Sequence, residues 1–125
     1  MQYTAVVNLI LEKGTDNVQV PDAISFQSFT EAGRLLTKEN RYEEAGKAFA
    51  KANNQQELLE TGNWFWQRGR AKDASYYYRF INDTNKIEAC AIECMNQGSF
   101  EEAKALLEST GNYRMLSFLK TNFKI

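Results

Sequence analysis

Histidine is absent from the sequence, which removes the commonest general base and most pairs that activate a serine or cysteine nucleophile. Cys90 and Cys94 lie one helical turn apart and could reach one metal ion together, but two thiols without further ligands make a poor zinc site. No glycine-rich phosphate loop follows a strand pattern. These features lead to the expectation of a non-catalytic chain with no metal or cofactor. Recognition chemistry is gathered between Trp64 and Phe80. Both tryptophans, three consecutive tyrosines and two phenylalanines stand there beside Arg68, Arg70, Lys72 and Arg79, with only Asp73 opposing. Three readings fit such a stretch: rings that simply widen the core, an aromatic and arginine anchor on a protein surface, or base stacking on single-stranded RNA. Trp66, Arg70, Tyr76 and Tyr77 are its candidate contact residues, because Phe65 and Tyr78 fall on core positions of the pattern described next.

The elements that position these residues follow from an internal repeat. Arg41-Tyr-Glu-Glu-Ala-Gly-Lys-Ala-Phe49 returns as Ser99-Phe-Glu-Glu-Ala-Lys-Ala-Leu-Leu107, with a weaker copy, Arg70-Ala-Lys-Asp-Ala-Ser-Tyr-Tyr-Tyr78, between them. Ala45, Ala74 and Ala103 are in register at a spacing of 29 residues. A repeat this short is a supersecondary unit that buries its apolar face on its neighbours. Within the first copy Phe29, Ala32, Gly33 and Leu36 form one helical stripe, and Tyr42, Ala45, Phe49 and Ala52 a second beyond Asn40. The second copy carries Leu58, Thr61, Gly62 and Phe65, a turn at Gly69, then Ala71, Ala74, Tyr78 and Ile81. In the third, Ile87, Cys90, Ala91 and Cys94 precede a turn at Gly98 and then Phe100, Ala103, Leu107 and Thr110. Leu116 and Leu119 place one further helix, over 113–123, as a cap.

Short links at Asn40, Gly69 and Gly98 predict antiparallel helix pairs. Asn53-Asn54, Asn82-Asp83 and Gly111-Asn112 close the three units, taken as 26–54, 55–83 and 84–112. Gly33, Gly62 and Ala91 mark where the two helices of each pair approach closely. Glycine in a helix costs about 1 kcal/mol relative to alanine, so its recurrence at one repeat position implies a packing requirement. The thiols Cys90 and Cys94 then read as core filler, and Glu43-Glu44 and Glu101-Glu102 as first-turn carboxylates that favour the helix dipole. Residues 1–21 lie outside the repeat. Tyr3 to Leu11 is apolar enough for a buried helix or a strand, and periodicity does not decide between them. Pro21 marks a boundary, and Asp22 is expected to cap the first repeat helix. The segment reads as a terminal cap, with a self-association surface as the alternative.

With these positions laid out, residues 22–125 resemble the tetratricopeptide repeat family, whose signature sets a large residue, Leu-Gly, an aromatic, an alanine, an aromatic and an alanine in order. Phe29, Gly33, Leu36, Tyr42, Ala45, Phe49 and Ala52 occupy those places in the first unit. The closing proline is missing from every unit, and the period is shorter than the family's 34 residues. In this the chain is also similar to the solenoids of vesicle-coat and intraflagellar-transport subunits. The resemblance implies an all-α, right-handed superhelix of stacked antiparallel pairs, about seven helices after the N-terminal segment. It also implies a scaffold or adaptor that binds another protein or peptide, with Trp66, Arg34 and Asn63 on groove-facing positions. Of the family's carboxylate clamp only Asn63 is matched, and Glu88 stands where a cation is required.

Lys and Arg number 15 against 16 Asp and Glu, a balance that predicts no general attraction to nucleic acid or acidic membranes. The apolar run Ala5 to Leu11 is too short to span a bilayer. A cytoplasmic protein-interaction module is therefore the expectation, and an RNA-binding helical repeat using Trp64 to Phe80 is the alternative.

Overall fold

A computed structural model describes residues 2–123. Met1 and positions 124–125, which the expected bounds 1–21 and 22–125 take in, lie outside them. The described chain is all-α: α1 (Thr4–Lys13), a 3-10 turn (Thr15–Asn17), α2 (Asp22–Lys38), α3 (Tyr42–Lys51), α4 (Gln55–Trp66), α5 (Ala71–Tyr78), α6 (Thr84–Asn96), α7 (Phe100–Thr110) and α8 (Tyr113–Phe123). Seven helices thus follow an N-terminal segment that is itself helical. Two compact units are present, Met1–Leu58 and Leu59–Ile125, with the boundary inside α4.

In the first unit α1 packs on α2, with Val7 and Ile10 fully covered. Their spacing of three puts both on one face, which settles the segment as helix. The 3-10 turn packs on α3, and the buried Thr15 donates from its backbone N–H and its hydroxyl to Glu44 Oε2 at 3.3 and 3.1 Å. Asp22 is the first residue of α2 and not its cap; Pro21 holds the cap position without a side-chain hydrogen bond. Phe29, Ala32 and Leu36 of α2 and Ala45, Phe49 and Ala52 after it are buried as the stripes require.

The second unit packs α5 on α6 and α7, α6 on α7, and α7 on α8. Its core includes Phe65, Ala74, Tyr78, Ile87, Cys90, Ala91, Cys94, Ala103 and Leu107. Leu119 is fully buried and Leu116 nearly so.

Local geometry recurs at the expected spacing. At the ends of α2, α4 and α6 the backbone N–H groups of Arg41, Arg70 and Ser99 donate to the carbonyls of Leu36, Phe65 and Cys94 at 2.9, 3.0 and 2.7 Å. Each of these bonds spans a left-handed residue: Asn40, Gly69 and Gly98, with φ of 62, 72 and 79°. This is the Schellman closure, and only glycine, or asparagine among L-residues at modest strain, adopts it readily. Arg41, Arg70 and Ser99 then share nearly one conformation, with ψ of 67, 64 and 67°. Twenty-nine residues also separate three helix caps. The side chains of Asn54, Asp83 and Asn112 each accept from the backbone N–H three residues on, at 3.1 Å in all three cases. The close approach is equally regular. A Cβ built on Gly33 would sit 2.5 Å from two ring carbons of Phe49, and one on Gly62 would collide with the Tyr78 ring. The third copy has Ala91 and Leu107 at these two positions, a larger small residue together with a smaller large one.

Candidate functional site

The sequence candidates divide between the two units, Arg34 in the first and the rest in the second. Arg34 donates from Nε and Nη2 to Glu57 Oε1 at 3.2 and 2.7 Å, and from Nη1 to Glu31 Oε1 at 3.1 Å. The hydrogen bond to Glu57 raises its pKa further, so the guanidinium is a fixed, charged strut. Asn63 accepts the phenolic hydrogen bond of Tyr78. Arg70 pairs with Asp73 at 2.8 Å and lies over the Phe65 ring. Tyr76 donates to Glu102 Oε2 at 3.1 Å beneath the guanidinium of Arg79.

Tyr77 corrects the expectation most plainly. It is fully buried and stacks on Phe65, with ring centroids 5.7 Å apart and planes 21° apart. Because α5 packs against both α6 and α7, its buried arc is wider than a two-helix stripe, and two adjacent tyrosines are both covered. Trp66 is half-buried, tilted against Tyr78 at 6.3 Å. The more exposed tryptophan is Trp64, at 48%, with Arg68 seated 3.8 Å above its ring. Arg68, Arg70 and Arg79 therefore lie over three different rings, Trp64, Phe65 and Tyr76.

Cys90 and Cys94 are free and buried. The hydrogen bond with Cys94, then burial, pushes the Cys90 thiol far up, so it stays protonated as core filler. Among the described residues no three His, Cys, Asp or Glu side chains converge as a metal site needs, and no helix is long and apolar enough to cross a membrane.

The larger cleft lies in the first unit and encloses about 440 Å³. Its floor is α2 and the first turn of α4, where Asn54 braces the wall by donating to Thr30 Oγ1 at 3.1 Å while capping the helix. Arg34 with Glu31 and Glu57 closes one side, and Gln2, Gln27 and Gln56 bring amide side chains to it. Phe26, 55% exposed, forms an apolar lip. Neither Gln27 nor Gln56 stands out by composition. A signal was nonetheless present: the two are one repeat apart, and the next position in register is Asn85. The second unit holds a smaller pocket of about 240 Å³, lined by Trp66, Gly69, Ala71 and Glu93.

Comparison of the chain with protein-family models, curated proteins and solved structures finds no match.

Proposed function

We propose that the chain is a tetratricopeptide-like helical-repeat protein of the cytoplasm, a non-catalytic module that binds a segment of another protein in the cleft of its first unit. The observation that carries this reading is the lining of that cleft. Side-chain amides donate and accept, as a peptide backbone does, so Gln2, Gln27 and Gln56 suit an extended chain whatever its side chains. The volume lies within the range of ligand sites, and the exposed ring of Phe26 supplies an apolar contact beside them. Arg34 is locked between two carboxylates, so the cleft is preorganised without presenting a bare cation. The 29-residue recurrence of turn, cap and small-residue contact supports the repeat assignment.

Selection of a random peptide library displayed on phage against the intact chain tests this reading. Selected peptides should bind the purified protein, and the exposed pair Gln27→Ala with Gln56→Ala should weaken them at least tenfold while leaving the helical content unchanged. Selected peptides that bind both proteins equally would overturn the assignment of the cleft.

A further inference from the structure

The arginines of the aromatic stretch show what its rings attract. Arg68 lies over Trp64, Arg70 over Phe65 and Arg79 over Tyr76. Trp66 is different: its one ring contact is Tyr78, and its indole N–H has no acceptor among the described residues. It forms a wall of the pocket that Gly69, Ala71 and Glu93 complete. The Glu93 carboxylate takes a single hydrogen bond, from Gln97 Nε2 to Oε1 at 3.1 Å, while the same amide nitrogen also donates to the Gly69 carbonyl at 3.3 Å. That amide ties α6 to the turn at Gly69 and leaves Glu93 Oε2 open. Among the described residues lining the pocket, Glu93 alone is ionisable. Arg70, the residue after Gly69, pairs with Asp73 at 2.8 Å.

We propose that this pocket, between α4, the Gly69 turn and α6, receives an arginine side chain of the partner polypeptide. The planar guanidinium stacks on an indole face and donates to a carboxylate in one geometry, a combination that a lysine ammonium cannot reproduce. Charge complementarity selects the occupant, since the described lining presents one carboxylate and no cation. The glycine turn leaves the entrance free of a side chain, because a Cβ at Gly69 would have no neighbour within 4 Å. This inference rests on the reading of the chain as a protein-binding module, and adds that its partner is arginine-bearing.

The test uses a Trp64→Phe protein, in which Trp66 is the sole tryptophan, and capped pentapeptides Ala-Ala-X-Ala-Ala. X is arginine, lysine or citrulline, the last matching arginine in shape without its charge. The arginine peptide should change Trp66 emission saturably, and the citrulline and lysine peptides should bind at least tenfold and severalfold more weakly. Glu93→Gln, at a partly exposed position, should weaken the arginine peptide at least tenfold and leave citrulline unaffected. Equal binding of arginine and citrulline, indifference to Glu93→Gln, or no saturable change would each overturn the proposal. Peptides whose binding responds to Gln27→Ala with Gln56→Ala but not to Glu93→Gln would overturn the arginine pocket alone, leaving the protein-binding reading in place.

Discussion

Tyr78 joins packing to polar chemistry in one side chain. Its ring fills the space left by the missing Cβ of Gly62, and its hydroxyl reaches Asn63 on the next position of the same helix. Burial first, with the Asp83 carboxylate adding to it, pushes its pKa from 10.0 up to about 12. A folded value raised above the unfolded one means that the contribution is complete below pH 10 and is lost as pH rises through 12. Wild-type stability should therefore fall more steeply between these values than that of Tyr78→Phe, as followed by urea midpoints across the series. At neutral pH the same substitution should destabilise by about 1 kcal/mol through the lost hydrogen bond. Parallel pH profiles for the two proteins would show that Tyr78 is not the titrating group.

At the scale of elements, the recurring contact between a small residue and a large one makes a sharper claim. Gly33→Ala places a methyl 2.5 Å from the Phe49 ring, and overpacking of this kind costs about 1–3 kcal/mol, more than the roughly 1 kcal/mol that alanine adds to helix propensity. Phe49→Leu combined with Gly33→Ala recreates the pair of residues found at Ala91 and Leu107. In the Phe49→Leu background Gly33→Ala should become neutral or stabilising, so the cycle should show coupling and not a simple sum. Additive effects would sink the equivalence of the pairs. Caps offer a second test: Asp83→Ala should cost about 1 kcal/mol. Asn54→Ala should cost more, since the buried Thr30 hydroxyl also loses its donor. The close approach was legible in sequence because it follows the helical period, whereas Asn54, Asp83 and Asn112 were legible as the ends of units and not as caps. Burial of Tyr77 was not legible, since it depends on how many helices surround α5. Ala48 makes the same point: it lies outside the stripe of Tyr42, Ala45, Phe49 and Ala52, yet it is as fully buried as Ala74.

For the whole molecule, the helices and turns follow from spacing that any reader of the chain can recover, whereas the clefts do not. The cleft of the first unit joins Gln2 to Glu57, and no local period brings such distant positions together. The aromatic stretch drew attention by composition, but its arginines lie over its own rings and bond to its backbone carbonyls and to Asp73. What lines the clefts is quieter: two glutamines one repeat apart in the first unit, and a tryptophan beside a glutamate in the second. The central claim is that the partner is a polypeptide and not a nucleic acid. The most direct measurement titrates the intact chain with a selected peptide and with an oligouridine strand, by fluorescence anisotropy, from about 50 to 200 mM salt, a range over which several phosphate contacts lose orders of magnitude in affinity. The peptide should bind with less than a tenfold change across the series, and the oligonucleotide should fail to displace it. A strand that binds with a steep salt dependence and competes the peptide away would contradict the account.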